Sequence, residues 1–162
     1  MHSTDELLGL IHRILIGNGR RLAVAESCTG GLLCHLLTSL PGASAYMEGG
    51  IVAYSAAAKE KILEVPAATI STYGVVSIET AREMASSVRR IFQADIGLST
   101  TGNLGPDVLE GKDKGLVYIA LSTAEGINTR ELRLGGDRNS NRDETVRTAL
   151  SLLLDSLSEL NE

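Results

Sequence analysis

The chain has 162 residues, of which 43% are apolar and 22% charged, with a formal charge of −5. That length suits one compact domain and the apolar fraction excludes disorder, while no uninterrupted apolar stretch approaches the roughly 20 residues of a membrane span. Asp and Glu number 20 against 15 Lys and Arg, and with no Trp, one Phe and four Tyr there is neither a phosphate-backbone footprint nor a set of base-stacking platforms, which argues against nucleic acid as a partner.

Thr4 is placed to cap a first helix whose apolar positions Leu7, Leu8, Ile11, Ile14 and Leu15 follow the 3.6-residue period, ending at Gly17-Asn18-Gly19. Leu22-Ala23-Val24-Ala25 reads as a buried strand that stops at Glu26-Ser27-Cys28-Thr29-Gly30-Gly31. Leu32, Leu33, Leu36, Leu37 and Leu40 make a second helix, closed by Pro41-Gly42. A second strand, Gly50 to Tyr54, leads into Ser55, a cap for a helix that carries Lys59, Lys61, Ile62 and Leu63. Ser77 caps a helix from Ile78 to about Phe92, with Glu79 supplying acidic charge in its first turn. The strand Ile96 to Thr101 runs into Gly102-Asn103-Leu104-Gly105-Pro106-Asp107 and a polar loop to Lys114. Leu116 to Leu121 and Asn128 to Leu134 alternate in character and meet at Glu125-Gly126, the pattern of a hairpin. A last helix, from about Ser140 to Leu160, is apolar at Val146, Leu150, Leu153, Leu154 and Leu157. Strands that alternate with helices early and pair directly late predict one three-layer α/β/α domain over residues 1–162, with a mixed sheet.

Cys28 and Cys34 lie six apart within one turn-and-helix segment, which suits reduced thiols better than a disulfide. The N-terminal residues lack the basic region of a signal peptide. A soluble cytoplasmic protein is the expectation. His2, His12 and His35 are scattered, so no metal site is expected.

Four turns are candidates for chemistry. Ser27-Cys28-Thr29-Gly30-Gly31 follows a buried strand and starts a helix, where ligands of open α/β sheets collect and free N–H groups are presented. The alternative is that Ser27 or Thr29 merely caps the helix; neither phosphate-loop pattern is present. Lys59, one turn into a helix after Tyr54-Ser55, meets an unfavourable dipole that lowers its pKa toward that of a useful base, and Ser-Lys pairs are one way to activate a hydroxyl without His. A solvated surface lysine is the alternative. Thr100 to Asp107, at a strand end that no helix follows, is either a nest of backbone N–H groups or a plain turn. Arg138 and Arg142, at the start of the last helix, oppose its dipole and call for an anion, either a ligand or the nearby Asp137, Asp143 and Glu144.

Taken together, Ala25-Glu26-Ser27-Cys28-Thr29-Gly30-Gly31, Tyr54-Ser55-x-x-x-Lys59, Tyr73-Gly74-Val75-Val76-Ser77, Thr101-Gly102-x-x-Gly105-Pro106-Asp107 and Gly136-Asp137-Arg138 closely resemble the C-terminal domain of the competence/damage-inducible CinA proteins. That is a family of nicotinamide mononucleotide deamidases, also found as stand-alone single-domain proteins. The resemblance runs from about Asp5 to Leu157 and implies hydrolysis of the carboxamide of nicotinamide mononucleotide to nicotinic acid mononucleotide and ammonia, a step of pyridine nucleotide salvage. It makes Ser27 the nucleophile, Lys59 its base and Tyr54 a neighbour that orients or tunes the lysine. Thr101 and Gly102 then line the pocket, N–H groups of Thr29, Gly30 and Gly31 meet the substrate oxyanion, and Arg138 and Arg142 hold the 5′-phosphate. No metal or organic cofactor is implied. The loop Val108-Leu109-Glu110-Gly111-Lys112-Asp113-Lys114 departs from the usual family pattern, as do Asn103 and Leu104. The alternative function is therefore a pyridine-nucleotide-binding or regulatory module that has lost turnover. Both readings require Ser27 Oγ and Lys59 Nζ to face one pocket within hydrogen-bond reach. A homo-oligomer, with a dimer as the simplest form, is expected through an exposed edge of the late hairpin or through the first helix.

Overall fold

The structure, a computed structural model, describes residues 1–160. Its first helix, α1 (Thr4–Asn18), is capped by Ser3 rather than Thr4: Ser3 Oγ accepts from Glu6 N at 3.2 Å while Glu6 Oε2 accepts from Ser3 N at 2.6 Å. The reciprocal pair satisfies two groups at once, which a single hydroxyl at Thr4 would not. There follow β1 (Leu22–Glu26), α2 (Leu32–Leu37), a 3-10 turn (Ala43–Ala45), β2 (Met47–Val52), α3 (Ala56–Lys61), α4 (Ala67–Tyr73) and α5 (Ile78–Ile91). The chain continues through β3 (Ile96–Gly102), β4 (Leu116–Ser122), β5 (Ile127–Arg133) and α6 (Arg138–Glu159).

The strands form one sheet in the order β2-β1-β3-β4-β5. β1 runs parallel to β2 and β3, whereas β4 is antiparallel to both of its neighbours. Alternation along the strands separates two unlike faces. Leu22, Val24, Ile96, Leu98, Val117, Ile119 and Leu121 point to one side, where they pack with Leu7, Ile11 and Leu15 of α1, Leu33 and Leu37 of α2, and Leu150, Leu153 and Leu157 of α6. Ala23, Ala25 and Ala120 face the other side, against Ala81, Met84, Ala85 and Val88 of α5 and Leu63 and Val65 beyond α3. The small residues let α5 approach closely: a Cβ at Gly97 would lie 2.1 Å from the Ala85 carbonyl oxygen. The three-layer mixed-sheet architecture is the one expected from the sequence.

Several boundaries differ. α4 has no counterpart in the sequence reading, because none of its residues is buried and its segment carries no apolar period. β2 starts at Met47 rather than Gly50; Gly49 and Gly50 are poor strand formers, required here because Phe92 lies over one and Cys34 with Val24 over the other. α6 starts at Arg138 rather than near Ser140, since Asp137 caps it by accepting from Ser140 N at 2.8 Å. Both cysteines are free. Among the described residues no helix is long and apolar enough to cross a membrane.

Candidate active site

The order β2-β1-β3 places a topological switch at the carboxyl end of β1, where chains from neighbouring strands leave in opposite directions and open a crevice. Ser27 is the first residue after β1. Its turn reverses through Gly30 and Gly31 at φ +62° and +102°, conformations open to glycine at little cost. Beneath it lies Glu26, 1% exposed, whose carboxylate accepts from Thr29 Oγ1 at 2.6 Å and from the N–H groups of Leu33 and Cys34 at 2.9 and 3.0 Å. An anion thus covers the open N-terminus of α2, and Thr29 Oγ1 is also 2.8 Å from Thr100 Oγ1. Thr29 is a brace under the turn.

From the next strand, Ser55 caps α3 by accepting from Ala58 N at 3.0 Å, and one turn on Lys59 points back into the protein. It is not solvated: its exposure is 0%. Lys59 Nζ donates to Ser27 Oγ at 2.8 Å, to the Ala53 carbonyl at 2.9 Å and to the Tyr54 carbonyl at 3.2 Å. Burial pulls its pKa down from 10.5 to about 8, partly opposed by the Glu110 carboxylate. Removal from water is therefore the cause, rather than the dipole of the six-residue α3. The Cys28 thiol is pushed up to about 12, chiefly by its own burial. It stays protonated and is a poor nucleophile at neutral pH.

Ser27 opens onto a cavity of about 360 Å³ lined by Cys28, Tyr54, Val75, Thr101, the loop from Gly102 to Leu109, and Arg138. Thr101 Oγ1 donates to the Val75 carbonyl at 2.7 Å. Arg138 crosses the rim, donating to the Gly105 carbonyl at 2.7 Å and to Tyr54 Oη at 2.9 Å. The structure thus gathers Ser27, Lys59, Tyr54, Thr101, Gly102 and Arg138. Tyr54 meets the lysine through its carbonyl, and the residue as a whole is 60% exposed. Thr29, Gly30, Gly31 and Arg142 do not line the cavity. The Thr29 side chain is committed to Glu26 and Thr100, and Arg142 lies a full turn further along α6, its Nε buried with no hydrogen-bond partner among the described residues. Neither arginine pairs with Asp137, Asp143 or Glu144 among those residues; Glu144 binds Arg147 instead. No cluster of three or more His, Cys, Asp or Glu side chains that could hold a metal ion occurs among them either.

Comparison with known proteins matches residues 4–157 to the CinA C-terminal domain. The chain belongs to that family. It is 50% identical over 148 residues to a competence-damage inducible protein of Desulforamulus reducens, a match covering 91% of this chain and 36% of that protein. A CinA-like protein of Syntrophomonas wolfei is 42% identical over 153 residues, covering 94% of this chain and 37% of that protein. The chain thus spans little more than a third of the length of these curated relatives. Crystal structures of CinA superfamily proteins are similar throughout. One from Klebsiella pneumoniae superposes with a TM-score of 0.93 at 33% identity, covering 98% of this chain and 99% of that one. A competence or damage-inducible protein from Enterobacter asburiae gives 0.94 at 34%, with 97% and 99% covered.

Three polar side chains that shape this CinA site had no role in the sequence reading. Glu26 braces the turn after β1. Asn141 of α6 is buried and donates to the Leu104 and Gly136 carbonyls at 3.1 and 3.0 Å while accepting from Gly136 N at 3.0 Å. Asn103 closes its own loop, donating to the Asp107 carbonyl at 2.7 Å and accepting from Gly105 N at 3.0 Å. A signal existed only for Glu26, a charged residue at the end of a fully apolar strand.

Proposed function

We propose that this CinA domain hydrolyses the carboxamide of nicotinamide mononucleotide, giving nicotinic acid mononucleotide and ammonia, with Ser27 as nucleophile and Lys59 as general base. The observation that carries the reading is the 2.8 Å contact between Lys59 Nζ and Ser27 Oγ inside a buried pocket. A protonated amine offers three donors, matched here by Ser27 Oγ and two carbonyls. Deprotonated, it keeps two N–H bonds for the Ala53 and Tyr54 carbonyls, and the lone pair takes the third direction, toward Ser27.

The neutral amine takes the Ser27 proton as Oγ bonds to the carboxamide carbon, and the C=O pair moves to oxygen. Within the turn, the Ser27 and Gly30 N–H groups are already bonded to the Thr100 and Ser27 carbonyls. The N–H after the nucleophile, that of Cys28, is our candidate for the oxyanion. Collapse breaks the C–N bond, the Lys59 ammonium returns its proton to the departing nitrogen as ammonia, and an ester on Ser27 remains. Water, losing a proton to Lys59, then adds to the ester carbon, and Ser27 leaves with that proton. Arg138, at the rim, suits the 5′-phosphate. The chemistry calls for no cofactor.

Incubation of the purified chain with nicotinamide mononucleotide should release ammonia, with loss of at least about 10³-fold in Ser27→Ala and Lys59→Ala. The neutral amine is the active form, so kcat/KM should rise with pH through a midpoint near 8. Absence of ammonia above the Ser27→Ala background sinks the reading. Calorimetric binding without turnover would leave the cavity as a pyridine-nucleotide-binding module.

A further inference from the structure

The loop between Pro106 and Leu116 carries Glu110 across to the segment 73–76. There the Glu110 carboxylate accepts from the N–H groups of Val75 and Val76 at 2.9 and 3.3 Å. Lys112 Nζ lies 3.4 Å from the same carboxylate and donates to the Tyr73 and Val76 carbonyls at 2.6 and 2.5 Å. The two side chains dock over Gly74, at φ +84°, where a Cβ would fall 2.3 Å from Glu110 Oε2 and 2.9 Å from Lys112 Nζ. The Val75 peptide group is therefore fixed on both sides, its N–H by Glu110 and its carbonyl by Thr101 Oγ1. Val75 and Leu109, next to Glu110, are walls of the cavity onto which Ser27 opens.

We propose that Glu110 is a positioning residue of the Ser27–Lys59 site: its carboxylate clamps the mouth loop onto the Val75 wall, and its negative charge acts on the Lys59 amine. The inference rests on the Ser-Lys reading above. Two groups lie near enough to act on that amine. From the β1–α2 turn comes Cys28, whose thiol keeps its proton up to about 12 and so carries no charge at neutral pH; Arg138 of α6 stands at the cavity rim, engaged with Tyr54 Oη. Glu110 is the anion of the set. Its burial works against ionisation, but the Val75 and Val76 N–H bonds and the Lys112 ammonium hold the carboxyl below its ordinary value. It is charged over the whole range in which Lys59 titrates. A nearby anion favours the ammonium form and offsets part of what burial does to Lys59.

The chain has four lysines, Lys59, Lys61, Lys112 and Lys114, so NMR of the protein labelled with ¹³C at lysine Cε resolves each titration, with Lys59 assigned by its absence in Lys59→Met. Glu110→Gln keeps the size and an acceptor oxygen but removes the charge; it should lower the Lys59 midpoint by a few tenths of a pH unit or more. Glu110→Ala should do the same and also raise KM for the nucleotide, because the wall is released. Glu110→Asp, which retains the charge, should stay closer to the wild type. Glu64→Gln, altering a glutamate that pairs with Arg90 outside the cavity lining, should leave the midpoint in place. An unmoved or raised midpoint in natively folded Glu110→Gln and Glu110→Ala overturns the proposal. A wild-type chain that releases no ammonia overturns the proposed function instead, and the titration still decides the role of Glu110.

Discussion

Lys59 illustrates what burying an amine costs in stability, whatever chemistry that amine is proposed to serve. Folded, its pKa is about 8; unfolded, it returns to its ordinary 10.5. Between those values the unfolded chain holds a proton that the folded chain has lost, so a rise in pH favours the folded form. Below pH 8 both states are protonated and the cost of burying the ammonium is felt in full. Urea unfolding of the wild type and Lys59→Met across pH 7 to 11 should show the difference turning in favour of the wild type by about 3 kcal/mol in total, the equivalent of the depressed pKa. Cys28, whose raised pKa has the opposite effect, interacts with Lys59, so both proteins carry Cys28→Ser in this comparison. A difference independent of pH would mean that the amine titrates normally.

At the scale of elements, β3 and α5 are joined by missing side chains more than by large ones. Gly97→Ala would drive a methyl group into the Ala85 carbonyl, and the helix must shift or the strand must buckle. A loss of about 1–3 kcal/mol in urea unfolding is expected, the ordinary cost of overpacking. α1 and α6 were legible from their apolar spacing, α5 from its Ser77 cap and first-turn Glu79, and β1 from its unbroken apolar run. α4 was not, since its residues are packed too lightly to leave a pattern. The caps were half legible: Ser55 and Ser77 are where their residue types suggest, whereas Ser3 displaced Thr4 because only Ser3 has a glutamate three positions on to reciprocate. Within the site, Ser27, Tyr54 and Thr101 could be placed because each sits at a predicted strand end. The orientation of Lys59 could not be, since an isolated Lys at that spacing reads as solvated. Nor could the Glu110 contacts, which join residues 35 apart in the chain across two loops with no periodic structure.

Across the whole molecule, the five strands leave β2 and β5 as open edges. β5 is half-buried at Ile127, Thr129 and Leu132 and exposed at the other positions, Arg130 and Arg133 among them, a charge placement that discourages indiscriminate strand addition. Our proposal of a closed dimer predicts twice the mass of one chain by light scattering, and a mass equal to one chain excludes it. The burial of Lys59 reaches further than its chemistry. Its amine is fully buried behind Ser27, so an amine-reactive acylating reagent too bulky for the cavity can modify it only in molecules where the turn after β1 and helix α3 have parted. When reclosing is faster than acylation, the labelling rate divided by that of a free lysine is the fraction of molecules open at that seam. The same side chain proposed to activate the serine thus serves as a built-in gauge of how often the crevice comes apart.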